Sequence, residues 1–226
     1  MTSAQPRKAS SLADALANPA GVIRLSIIGA PIPSLPEAIR NLQDLEILTL
    51  NGNGLETLPE VLCELPKLRV LNLFNNALTE LPAGLSRLTR LESLTLGDNP
   101  LRQLPDDLAG CTGLRELNLA NLPQLDFAEA WPLITQLTGL EKLSLYQNPI
   151  DTLPETIGQL DQLRVLRLFA CRIDRLPASL SRLIHLEELD LRGNQFAEFR
   201  FDTAGFTALR RLDLSYNPMN EGAIPG

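Results

Sequence analysis

Aromatic residues are scarce. They supply 4% of the 226 residues while apolar residues reach 44%, so the interior must be built from aliphatic side chains, chiefly leucine. Positive charge is short as well: 20 Lys and Arg against 27 Asp and Glu leave a net charge of −7. A phosphate backbone needs a concentrated basic surface, so nucleic acid is not an expected partner. The same balance argues against a basic helix lying on a membrane, and no apolar run approaches the ~20 residues needed to cross one. Histidine occurs once, at His185, and the cysteines Cys63, Cys111 and Cys171 form no CxxC pair. Neither a zinc framework nor a disulfide scaffold is expected, and no metal or other cofactor is expected. The N-terminal MTSAQPRKASS has no apolar core of a cleaved signal peptide, and no Asn-x-Ser/Thr sequon occurs. A reducing, cytoplasmic setting is the expectation. The polar, serine-containing N-terminus also fits a bacterial effector exported without a cleaved signal.

What the chain does have is a repeat. LEILTLNGNGLETLP (45–59) returns as LRVLNLFNNALTELP (68–82) and LESLTLGDNPLRQLP (91–105), each 23 residues on. Later copies begin at Leu114, Leu140, Leu163, Leu186 and Leu209, and a degenerate first copy covers 22–36. The nine units share one spacing, except for a 26-residue unit that starts at Leu114.

This LxxLxLxxN…LP pattern resembles the leucine-rich repeat family, in its LP-containing subtype as seen in bacterial and plant intracellular proteins. The resemblance covers about residues 22–219. It implies an α/β solenoid, a right-handed horseshoe with a parallel concave sheet and short 3₁₀ or helical segments on the convex side. It also implies protein binding without naming the partner.

The residues support that fold on their own terms. Counting the first leucine of each unit as position 1, apolar positions 4 and 6 flank a variable residue, the mark of a short strand. A lone strand cannot bury its face, but stacked copies can. Asparagine recurs at position 9 (Asn53, Asn76, Asn99, Asn148, Asn194, Asn217). An inward amide there can satisfy turn groups that would otherwise be buried unpaired. Proline recurs at 36, 59, 82, 105, 154 and 177 and is expected to be the first residue of a convex helical turn.

Residues 1–21 read as a disordered N-terminus followed by a capping helix within SSLADALANPA, with Leu12 and Leu16 covering the first unit. Residues 22–217 form the repeat domain, and 218–226 read as a tail too short for a full cap. An uncovered last strand is open to association. The 26-residue unit holds the single tryptophan, Trp131, expected to pack an enlarged convex segment. Phe196, Phe199, Phe201 and Phe206 are expected to refill core volume where unit eight lacks its LP.

No motif points to catalysis. NGNG (51–54) is a repeat turn, since no Lys-Ser/Thr follows it. Cys111 and Cys171 read as buried fillers, Cys63 as the more exposed thiol, and His185 as a surface residue. An enzyme is not expected.

Positions 3, 5 and 7 should project from the concave side. Phe74 and Tyr146 then stand about 14 Å apart at the usual strand spacing, with Gly97 and Ala120 between them. Such a trough would accept a helix about 10 Å across. The expected contact residues for a protein or peptide partner are Val70, Asn72, Phe74, Gly97, Ala120, Lys142, Tyr146, Val165, Arg167, Phe169 and Arg192. Position 2 alternates Glu46, Arg69, Glu92, Arg115, Glu141, Arg164, Glu187, Arg210, a ladder expected to fix register. Two other roles fit the same pattern. One is the recognition domain of a larger signalling or effector protein carrying a kinase, GTPase or ubiquitin ligase part. The other is a module that self-associates through the uncapped C-terminal end.

Overall fold

A unit of this kind closes one coil, and the coils stack. The computed structural model describes residues 5–199, 201 and 203–220, so residues 1–4 and the tail after Asn220 lie outside the described residues. Strands β1 (Arg7–Ala9), β2 (Val22–Ser26), β3 (Ile47–Thr49), β4 (Val70–Asn72) and β5 (Ser93–Thr95) lead the chain. They are followed by β6 (Glu116–Asn118), β7 (Lys142–Ser144), β8 (Val165–Arg167), β9 (Glu188–Asp190) and β10 (Arg211–Asp213). All ten pair in parallel, in chain order, in one open sheet. Register advances by one unit per step, Leu48 opposite Leu71 and Leu71 opposite Leu94. Leu117 faces Leu143, so the extra residues of the long unit are absorbed away from the sheet.

The leucines at positions 4 and 6 turn inward. Leu48, Leu50, Leu71, Leu73, Leu94 and Leu96 are all at most 1% exposed and belong to one cluster running along the stack. Each such burial contributes roughly 1.5–3 kcal/mol against the entropy of ordering three-residue strands.

The position-9 asparagines stitch consecutive coils together. Asn148 donates from Nδ2 to the carbonyls of Leu119 and Leu145, both at 2.8 Å, and accepts the Leu122 N–H at 2.7 Å. Asn76 accepts two N–H groups, from Asn53 at 3.0 Å and Leu55 at 3.1 Å. Cys171 occupies the same slot with weak donation to the Leu145 carbonyl at 3.4 Å and to the Phe169 carbonyl at 3.9 Å. The coil compensates locally, because the Ile150 N–H turns to the Asn148 carbonyl at 2.8 Å.

Just before that asparagine the chain reverses through the left-handed region, and it does so in all nine units. The residues are Gly29, Gly52, Asn75, Asp98, Asn121, Gln147, Ala170, Gly193 and Tyr216, with φ between 50° and 67°. Glycine, asparagine and aspartate adopt this conformation readily, whereas Gln147, Ala170 and Tyr216 do so under strain.

The convex rim is made of short 3₁₀ turns, five of them preceded by proline. Pro36, Pro59, Pro105, Pro154 and Pro177 have extended backbone and stand at the N-cap. This corrects the expectation that proline is the first helical residue: it precedes the turn, and its carbonyl accepts the first closing bond, as Pro36 does from Ile39 at 3.0 Å. Pro82 departs further, since a left-handed Gly84 intervenes before the turn at Leu85–Arg87. Successive turns approach closely; a Cβ on Gly158 would lie 2.6 Å from the Ser179 carbonyl oxygen.

In the long unit the rim becomes the helix α2 (Phe127–Ile134), capped by Asp126, which accepts from the Ala128 N–H at 2.9 Å. Trp131 is 7% exposed and lies 6.0 Å from Phe127 between ring centroids. Phe196, Phe199 and Phe206 are buried, and Phe201 stacks on Phe206 at 5.3 Å.

The first coil is covered by α1 (Leu12–Ala17), whose N-cap Ser11 accepts from the Asp14 N–H at 3.1 Å. Leu12 and Leu16 pack half-buried on the core, and Ala15 is fully buried. Residues 7–9 were expected within a disordered segment; they form β1 instead. The strand is fixed by pairing with β2 and by the Arg7–Asp14 ion pair at 2.9 Å. Cys63 also departs from expectation: it is 1% exposed, and burial pushes its thiol up to about 12.

Two stability changes are expected. Ala170→Gly relieves a left-handed alanine, raising unfolding free energy by about 0.5–1 kcal/mol after the added freedom of the unfolded chain. Asn148→Ala strands an inward turn and lowers it by about 3 kcal/mol. Urea denaturation of both variants measures each shift.

Candidate functional site

Because side chains alternate along a strand, the residues flanking each buried position-4 leucine share the opposite, concave face with position 7. All the residues named from sequence as contacts fall on this face. Val70, Asn72, Phe74, Tyr146, Val165, Phe169 and Arg192 are half-buried there, and Lys142 and Arg167 are exposed. Gly97 and Ala120 are buried. Tyr146, Arg167, Phe169 and Arg192 line one shallow cavity, while Val70, Asn72, Phe74 and Gly97 lie two or more coils away along the same sheet.

The expected trough is closed. A Cβ on Gly97 would stand 3.3 Å from a ring carbon of Phe74 and 2.8 Å from the Ala120 carbonyl. Phe74 therefore leans over Gly97 rather than standing as a wall beside an open gap. Ala120, at 0% exposure, offers no floor to a helix. Sequence spacing placed the three residues correctly along the sheet; the lean of the ring across a missing side chain was not visible in it.

Towards the C-terminal end the face is a lattice of charge. Lys142 meets Glu116 at 2.5 Å and Arg167 meets Glu188 at 3.1 Å, each one coil away. Arg192 holds Asp190 at 2.6 Å, reaches Asp213 at 3.7 Å, and sets its guanidinium 5.1 Å from the Phe169 ring centre. Hydrogen bonding to Asp190 raises the Arg192 pKa further. Tyr146, Arg167, Phe169, Glu188, Asp190, Arg192 and Arg211 line a shallow cavity of about 330 Å³. Its charges are largely satisfied by one another.

Towards the N-terminal end the face changes character. Positions 3, 5 and 7 of β3, β4 and β5 carry no charged residue, whereas Arg24 stands exposed at position 3 of β2. Ile28 is 69% exposed, and Ile47 and Val70 are half-buried. Between these apolar side chains runs a line of Ser26, Thr49, Asn72 and Thr95, also half-buried. Sequence reasoning chose Phe74, Val70 and Asn72 from this region but passed over Ile28, Ile47 and Thr49. The signal was present as an unbroken run without charge.

The position-2 ladder borders the sheet unevenly. Arg69 and Glu92 pair in two bonds of 3.0 and 2.7 Å and Arg164 reaches Glu187 at 2.5 Å, whereas Arg115–Glu141 and Arg210–Glu187 stand at 3.9 Å. The Arg69 hydrogen bond holds the Glu92 carboxyl below its ordinary value. Burial raises the thiols of Cys111 and Cys171 to about 11, so the reactive thiolate is suppressed. Among the described residues no helix is long and apolar enough to cross a membrane.

Comparison with known proteins gives the same architecture. Residues 23–130 match the family model described as a leucine-rich repeat region, and 139–160 match that of a leucine-rich repeat. A search of curated proteins gives no match. Among solved structures, a leucine-rich repeat protein of Leptospira interrogans is similar at 28% identity and a TM-score of 0.69, over 95% of this chain and 65% of that one. The functional domain of InlJ from Listeria monocytogenes, which includes a cysteine ladder, is similar at 25% identity and 0.70, over 94% of this chain and 43% of that one. The ectodomain of the Arabidopsis receptor kinase HAESA, in complex with an IDA peptide hormone, is similar at 28% identity and 0.68, over 92% and 36%. The chain thus spans less than two thirds of each neighbour's length.

Two outcomes follow from the charges. A carboxyl held below its ordinary value of 4.5 stabilises the fold fully above that pH and loses the effect as pH falls through its lower folded value. Glu92→Gln should therefore be less stable than the parent near neutrality, with the difference vanishing in acid, as urea titrations at several pH values measure. Arg192→Ala leaves the nearly buried Asp190 with the residue-192 backbone N–H at 3.2 Å but no guanidinium, and should cost about 1–3 kcal/mol in the same measurement.

Proposed function

The chain belongs to the leucine-rich repeat family, and we propose that it is a protein- or peptide-binding scaffold whose concave sheet face is the docking surface. The family is in general an interaction scaffold, and the receptor-kinase neighbour was solved with a peptide ligand. The observation that carries the reading is the set of half-exposed apolar and aromatic side chains, Val70, Phe74, Tyr146, Val165 and Phe169, along one rigid sheet. Aromatics held by neighbours on a rigid face make interface anchors at small entropic cost. Asn72, Lys142, Arg167 and Arg192 supply polar contacts around them.

A second reading has its own observation. Leu212 and Leu214 are half-exposed where Leu189 and Leu191, one coil earlier, are fully buried, and Tyr216 is 85% exposed beside them. That end of the stack is accordingly proposed as a surface for association with a second copy. A purely monomeric species by light scattering at high concentration removes this reading.

For the first reading, proteins captured from the native cell by the parent chain and by a Phe74→Ala, Tyr146→Ala, Phe169→Ala variant are compared. Loss of anchors of about 2 kcal/mol each should weaken the bound partner at least 30-fold. An identical captured set with unchanged affinity overturns the docking face.

A further inference from the structure

Among the described residues, Lys8 and Arg24 at the N-terminal end of the sheet face stand without an ion-pair partner. Resting on the concave-face reading above, we infer that this end takes a segment of another protein that carries an aspartate or glutamate side chain. Its carboxylate sits on Lys8 and Arg24, and apolar side chains close to it in the segment cover Ile47 and Val70.

The first ground is charge. Lys8 of β1 lies opposite Arg24 of β2, and the residues that follow them, Ala9 and Leu25, are also opposite one another and buried. Alternation therefore turns Lys8 and Arg24 together onto the concave face, where both are exposed. Like charges set directly opposite in a sheet repel. Arg7 beside them is matched by Asp14, and residues 1–4, MTSA, contain no acid that could serve the other two. The remaining cations of the face are answered: Lys142, Arg167, Arg192 and Arg211 meet acids at 2.5, 3.1, 2.6 and 3.8 Å. Those partners, Glu116, Glu188, Asp190 and Asp213, are the acids that positions 3, 5 and 7 possess. The face thus has an excess of positive charge in a chain of net charge −7, and the excess lies at Lys8 and Arg24. A carboxylate set between them relieves the repulsion and accepts hydrogen bonds from both.

The second ground is what continues the row. Ile47 lies opposite Arg24 and Val70 opposite Ile47, before Ser93 ends the apolar stretch. Both are half-buried, and Ile28, on the coil of Arg24, is 69% exposed. A small anion or a wholly acidic segment would use the two cations and leave this apolar pair in water. A segment with an acid and apolar residues side by side uses both. The three strand steps from β1 to β4, at about 4.8 Å each, make about 14 Å, the reach of about four extended residues. The acid and the apolar residues of the segment accordingly fall within about four positions of each other.

The test is a display library of random 12-residue peptides panned against the whole chain, with enriched peptides then measured on the parent and on variants. Enriched peptides should carry Asp or Glu within about four positions of apolar residues. Their affinity should fall with added salt, and at least tenfold in the double variant Lys8→Gln, Arg24→Gln, which changes two exposed residues. The reversed variant Lys8→Glu, Arg24→Glu should regain binding when the peptide's acid is replaced by lysine, a rescue that a misfolded chain would not give. Enriched peptides without an acid, or peptides that bind Lys8→Gln, Arg24→Gln as tightly as the parent, overturn this assignment. If those peptides lose affinity in the Phe74→Ala, Tyr146→Ala, Phe169→Ala variant, the concave docking face still stands. Failure to enrich any peptide, or indifference to both sets of changes, overturns both.

Discussion

A buried asparagine amide shared between neighbouring coils is the constraint on which the rest of this molecule depends. Every coil must leave its strand, reverse and cross to the other rim, and the reversal places backbone groups inside the leucine core. There they have no water, and each unpaired group costs on the order of 1–3 kcal/mol. The amide at position 9 answers with two donors and an acceptor, spending one donor on its own coil and the other on the coil before. Consecutive coils are thereby locked at one distance and one register. The flat array of short strands, and with it the surface they display, follows from that lock.

The lock also explains where the sequence is free. Inside the stack, leucine and asparagine recur because the core and the turn admit little else. On the sheet face nothing internal constrains positions 3, 5 and 7, so residue type varies there from coil to coil. Ion pairs gather from Glu116 and Lys142 onward, interleaved there with Tyr146, Val165 and Phe169.

Much of this was legible in the residues. The repeat length, the strand positions, the asparagine role and the burial of Trp131 follow from spacing and residue type alone. What spacing could not reveal depends on the neighbouring coil's backbone. Residues 7–9 carry no leucine pattern, and their strand exists because the edge of β2 was available to pair with them. Cys63 lies buried within the convex turn Glu60–Glu64, and Phe74 closes on Gly97 because one coil lacks a side chain. The left-handed turn was likewise hidden at Gln147, Ala170 and Tyr216, where residue type argues against the conformation that the stack imposes.

The helix α2 has a geometric consequence of its own. On the inner edge of the stack β6 and β7 pair in parallel in unbroken register, as their neighbours do. On the outer edge an α-helix is thicker than the 3₁₀ turns on either side of it, as their respective windings require. A keystone that is wide outside and narrow inside tightens an arch at the place where it is set. A thicker rim segment over an unbroken strand register favours a wider fan of the two coils that flank it than of the coils joined by 3₁₀ turns.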